Sequence, residues 1–151
     1  MVIRTAFTIG LWLFCTIGWS APALSDPPES SATPRWYVVM FVVDGCSFCQ
    51  MLRERVFMPM VASGELPADR FYEVNMTDKE AWFYFDPMDR YIQKRALYRK
   101  YNLGLFPTTV ILDGRAELLH TPLVGITTPQ FFQQQLQQAL AQLHETPSKT
   151  P

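Results

Sequence analysis

Two of the three cysteines of this 151-residue chain stand three positions apart, in VVDGCSFCQM (42–51), directly behind a run of β-formers. Cys46 falls where the strand ends and a helix is predicted to begin. A sulfur there sees the unpaired N–H groups and the positive end of the helix dipole, which favour a thiolate. Its pKa is expected below the ~8.5 of a free cysteine. Cys49, one helical turn further and on the apolar side, is better shielded and expected to stay a thiol until needed. That asymmetry suits thiol–disulfide exchange: Cys46 attacks a substrate disulfide, and Cys49 resolves the mixed disulfide that forms.

Two other chemistries compete. A staple closing a loop of two residues would constrain little of the unfolded chain. A closed zinc site wants four donors, and beyond the pair only His120 and His144 offer imidazole, at no ligand spacing, so no metal ligand is assigned. Copper(I) suits soft thiolates, and Met51, Met58 and Met60 lie close in sequence. A copper(I)-handling or thiol-scaffold protein is therefore the alternative to a redox enzyme.

The elements that must hold the pair follow from periodicity. WYVVMFVVD (36–44) is continuously apolar and β-branched, the pattern of a strand buried on both faces. Cys49, Leu52, Val56 and Met60 then recur at helical spacing, with a break or kink expected near Phe57–Met58 because of Pro59. FYEVNM (71–76) is a second strand. The aromatic segment 78–88 reads as a packed loop or a binding surface. Residues 88–102 read as a helix that offers Tyr91, Ile92, Leu97 and Tyr101 for burial and turns its basic residues to solvent. TTVIL (108–112) and AELLH (116–120) read as a hairpin across Asp-Gly. Thr128–Pro129 starts a last helix, with Phe132, Leu136, Ala139, Leu140 and Leu143 on one stripe. The order β-α-β-α-β-β-α predicts an α/β domain: a four-stranded mixed sheet with helices on both faces.

Strand–CxxC–helix, followed later by Phe106-Pro107-Thr108 entering a strand, resembles the thioredoxin superfamily. The likeness runs from about Trp36 to His144, and GCSFCQMLRERVF, FYEVNMTD and LYRKYNLGLFPTTVILDG look closest to exported SoxW-like proteins. The resemblance implies a thioredoxin fold with Cys46 as attacking and Cys49 as resolving cysteine. It also implies a cis Pro107 facing the pair, and substrate contact through Phe106, Pro107, Ser47 and Phe48. The cofactor implied is none beyond the redox-active disulfide itself. The chain departs from cytosolic thioredoxins at Met40, where they bury an acid, at Gly45 in place of tryptophan, and at Ser47-Phe48 between the cysteines. Asp44 is the nearest acid in sequence.

The ends and the composition set the context. MVIR, an uncharged apolar run and the small residues SAPALS give the order of a secretory signal peptide over 1–25, cut near Ala23 or Ser25. The alternative is an N-terminal membrane anchor, since Thr5 to Leu24 is uncharged. Residues 26–35 (DPPESSATPR) read as a flexible arm, 36–144 as the domain, and 145–151 as a disordered tail. Cleavage would leave Cys46 and Cys49 as the only cysteines in a periplasmic or secreted, oxidising setting. A formal charge of −1 with no basic block argues against nucleic acid. The expected partners are exported protein thiols or disulfides and a membrane thiol–disulfide electron donor, with a monomer expected because no dimerisation stalk is visible. By resemblance the expected flow of electrons is that of a reductase.

Overall fold

The computed structural model describes residues 35–145. The signal-peptide reading of 1–25, nearly all of the 26–35 arm and almost the whole C-terminal tail lie outside the described residues.

Strand β1 (Trp36–Val42) is buried along its entire length. It pairs in parallel with β2 (Phe71–Asn75), Val38 opposite Phe71 and Val42 opposite Asn75. On its other edge it runs antiparallel to β5 (Thr108–Asp113), from Trp36 opposite Asp113 to Phe41 opposite Thr108. A short β6 (Leu123–Val124) completes the sheet in the order β2-β1-β5-β6. Alternation along β1 divides the core into two layers. Val38, Met40 and Val42 face helices α1 (Ser47–Leu52), α2 (Met58–Ala62) and α4 (Pro129–Glu145). Tyr37, Val39 and Phe41 face α3 (Lys94–Lys100) and Phe85. The four-stranded mixed sheet with helices on both faces is the architecture that the apolar pattern predicts.

Pro59 does not break the first helix. Between α1 and α2 the chain takes a π turn over Arg53–Phe57, in which the Met58 N–H bonds the Arg53 carbonyl. Proline, having no N–H to give, then falls in the first turn of α2, where none is required. The wide turn also brings Phe57 inward. Its ring stacks on Phe71 with centroids 4.6 Å apart and meets Phe132 edge-on at 5.9 Å, tying this helix to β2 and α4. Thr128 starts α4 as a cap, its hydroxyl accepting from the Phe131 N–H at 3.2 Å.

Two expectations are corrected. The segment 88–102 is not one helix: Arg90–Gln93 forms β4, paired antiparallel with β3 (Trp82–Phe85), and only Lys94–Lys100 is helical. Asp86–Met88 makes a 3-10 turn and Asp89 adopts a left-handed conformation (φ 48°), which no helix starting at 88 would permit. Phe83 and Phe85 turn towards the core, while Trp82, Tyr84 and Tyr91 remain exposed, so Tyr91 is not a core residue. The second correction concerns 116–120. Asp113 collects the N–H groups of Arg115 and Glu117 in a turn, and Ala116 takes φ 59°. Beyond it only Leu112 and Leu118 bridge. The strand that flanks β5 is Leu123–Val124 instead, paired with Thr108 and Thr109.

Candidate active site

β1 leaves the sheet at Val42, and four residues later Cys46 caps α1 with an extended backbone (φ −83°, ψ 99°). The sulfur behaves as a cap side chain: its Sγ accepts the Cys49 N–H at 3.1 Å. The Cys46 carbonyl accepts the first helical bond, from Gln50 at 3.1 Å. Cys46 and Cys49 are joined as a disulfide with their Cα atoms 5.2 Å apart. Their environments differ as the helical pattern requires. Cys46 is half-buried at the rim, whereas Cys49 is 2% exposed and packs among Val42, Leu52 and the residues of α4. Gly45 supplies the positive φ (69°) that turns the chain from strand to cap.

Antiparallel pairing brings the second motif to the same place. Phe41 lies opposite Thr108, so the residues just before β5 sit at the sheet end where β1 gives way to Cys46. The Phe106–Pro107 peptide there is cis. Pro107 is buried, and its carbonyl accepts the Gly125 N–H at 2.7 Å. Phe106 is half-buried and packs against both core layers, including the one that holds the cysteines. Ser47 and Phe48 are exposed on the first turn of α1, Phe48 at 55%.

Sequence reasoning missed the apolar residues that surround the motif. Leu105 (67% exposed) precedes Phe106, and its carbonyl accepts the Thr108 hydroxyl at 2.7 Å. Val124 (55% exposed) lies opposite Thr108 on β6. With Phe48, on the first turn of α1, they are apolar side chains left exposed near the end of the sheet where β1 gives way to Cys46. The signal in the sequence was weak: Leu105 and Val124 belong to no apolar periodicity, so nothing required them to be buried.

A cleft of about 320 Å³ opens beside the cysteines, lined in part by Asp44, Gln50, Arg53 and Asn75. Asp44 is exposed; its N–H donates to the Thr77 hydroxyl at 2.8 Å and its carboxylate accepts from the Asn75 amide. Arg53 reaches across to Glu73 through two hydrogen bonds, and the bonded carboxylate raises the guanidinium pKa above its ordinary value. Met40 is fully buried. No group of three or more His, Cys, Asp or Glu that could hold a metal ion occurs among the described residues. Of the methionines that favoured copper(I), Met60 is committed to the core and Met58 is exposed. No helix among the described residues is long and apolar enough to cross a membrane.

None of the curated proteins matches this chain in sequence. Solved structures do share its fold. The C-terminal domain of Neisseria meningitidis DsbD, in its oxidised form, is 19% identical, with 70% of this chain and 80% of that one covered and a TM-score of 0.51. The periplasmic thioredoxin SoxS of Paracoccus pantotrophus, in its reduced form, is 18% identical, with 72% and 98% covered and a TM-score of 0.51. The family model of a thioredoxin-like domain matches residues 28–140, which takes in the strand, the cysteine pair and the Phe106–Pro107 loop alike. The chain thus belongs to the thioredoxin-like domain family.

Proposed function

We propose that this protein is an exported thiol–disulfide oxidoreductase that works through Cys46 and Cys49. The observation that carries the reading is the placement of Cys46: a rim sulfur at a helix cap, taking a backbone N–H, disulfide-linked to a cysteine that solvent barely reaches. Bonds that favour a charged sulfur make Cys46 the better nucleophile and leaving group of the two.

In the reducing direction the Cys46 thiolate attacks one sulfur of a substrate disulfide. A Cys46–substrate bond forms, and the other substrate sulfur leaves as a thiolate that takes a proton from solvent. Cys49 then loses its proton and attacks the Cys46 sulfur. The internal disulfide reforms and the second substrate thiol departs, two electrons having passed to the substrate. Oxidation of a substrate dithiol is the same sequence reversed. Phe106 and Pro107, with Ser47 and Phe48, form the contact surface for the substrate chain, and the exposed Leu105 and Val124 extend it.

Net flow as a reductase, fed by a membrane thiol–disulfide donor and acting as a monomer on exported proteins, is the form that we favour. Its support is the resemblance to exported thioredoxin-like proteins and the similarity of fold to a structure described as a periplasmic thioredoxin. Export rests on the residue order of 1–25, and fractionation of cells with N-terminal sequencing of the product tests it. The catalytic assignment is tested by insulin reduction. Wild-type protein is expected to reduce insulin with dithiothreitol as donor, and Cys46→Ser to lose that activity. Retained activity in Cys46→Ser would overturn the mechanism.

A further inference from the structure

Thr109 carries a buried hydroxyl that bonds to none of the described residues. The residue is 1% exposed, and its Oγ1 has no hydrogen-bond partner among the described residues. Its neighbour Thr108 is as buried, yet places its own hydroxyl on the Leu105 carbonyl. A buried polar atom without a partner is costly enough to call for a reason.

The strand register shows which face it occupies. Thr109 lies opposite Met40 on β1 and opposite Leu123 on β6, and directly opposed residues place their side chains on one face. Met40 and Leu123 both belong to the layer beneath α1, α2 and α4, as does Ile111, two positions along β5. This is the layer that contains Cys49. The flanking side chains of Met40 and Leu123 offer a thioether and a hydrocarbon. Trp36 brings an indole N–H to the layer, but at the far end of β1, opposite Asp113. Cys49 is the buried member of the layer whose hydrogen-bonding capacity changes with redox state. In the disulfide its sulfur has no hydrogen and accepts weakly; as a thiol it both donates and accepts, and as a thiolate it accepts strongly.

We propose that the Thr109 hydroxyl is the redox-linked partner of Cys49, unpaired while the disulfide is closed and bonded to the Cys49 sulfur once it opens. The inference rests on the exchange reading above and deepens it. Opening the bridge takes two electrons and two protons from a dithiol, or from two glutathione molecules, which become a disulfide; Thr109 enters neither count. When Cys49 later attacks Cys46, its proton leaves to solvent through the adjoining cleft, and the hydroxyl donates to the thiolate left behind.

The test is the equilibrium of the pair with glutathione. Thr109→Val keeps the shape and deletes the hydroxyl, which relieves the disulfide form and deprives the dithiol form. The equilibrium is expected to move towards the disulfide by about tenfold, equivalent to ~30 mV more reducing. Thr109→Ser, which retains the hydroxyl, is expected to stay within about threefold of wild type. A valine variant within about threefold of wild type, or displaced towards the dithiol, overturns the proposal; a buried water holding the hydroxyl would give that result. Should the valine variant fail to fold, NMR of the Thr109 hydroxyl proton in unsubstituted protein decides. A hydrogen-bonded resonance in the dithiol form alone supports the proposal, and the same resonance in both forms ends it. Insulin reduction by the wild-type protein is measured alongside. Its absence would remove the oxidoreductase reading, whereas an active protein with an unshifted valine variant removes this inference alone.

Discussion

The backbone N–H of Cys49 donates to the Sγ of Cys46 at 3.1 Å, so the sulfur proposed to attack substrates is also the cap of the helix that carries its partner. Two roles on one atom can be separated by substitution. Serine is among the best N-cap residues and alanine among the poor ones. Cys46→Ser and Cys46→Ala should both lose disulfide exchange. Compared under reducing conditions, so that no variant has a disulfide, the alanine protein should be about 1 kcal/mol less stable than the serine protein by urea unfolding. Cys49→Ser should instead accumulate mixed disulfides with substrate, visible as bands that dithiothreitol removes. Failure to trap any would count against Cys49 as the resolving group.

The exposed residues around the pair should matter for large substrates only. Replacing Leu105 and Val124 together by serine removes about 1 kcal/mol of apolar contact at each position. The expected result is a fall of about tenfold or more in kcat/KM for insulin, with little change for a small aromatic disulfide. Equal losses on both substrates would mean that the pair itself had been disturbed.

Phe57 joins three elements, since its ring packs on Phe71 of β2 and Phe132 of α4 and is itself fully buried in the π turn. Phe57→Ala should cost about 3–5 kcal/mol, as large truncations in tight cores do. A clear drop in the urea midpoint is the measurement. A cost under about 1 kcal/mol would show that the π turn can move to refill the space.

Tyr101 gives a pH dependence whose sign can be worked out. Its hydroxyl donates to the Ala116 carbonyl at 2.9 Å, and burial, helped by Glu117 and Asp113, holds its pKa well above the ordinary phenol value. The unfolded chain ionises near pH ~10, while the folded protein keeps its proton to higher pH. The stabilising contribution is therefore complete below about pH 10 and is lost as the pH rises from there through the folded value. Urea midpoints of wild type should fall more steeply between about pH 9 and 11 than those of Tyr101→Phe. Parallel curves for the two proteins would contradict the assignment.

Local pattern sufficed wherever a side chain's neighbours are set by chain period. The all-apolar β1 announced a strand buried on both sides, and Cys49, Leu52, Val56 and Met60 announced the buried face of the helix that follows. Period failed where a few residues of special backbone decided the outcome. Asp89 in a left-handed conformation turned the start of an anticipated helix into a hairpin strand. The Asp113 turn delayed the partner of β5 to Leu123–Val124.

That two cysteines of unlike environment stand at a strand-to-helix junction, and which residues of that helix face the core, is legible along the chain, because spacing along one helix is a local property. What meets them depends on pairing between distant segments. The antiparallel register of β1 and β5 brings a loop some sixty residues away to the same sheet end, as Phe41 opposite Thr108 shows. It also lays Thr109 across from Met40 in the layer that encloses Cys49. Register is set by the summed packing of both sheet faces, so no single stretch of the chain contains it.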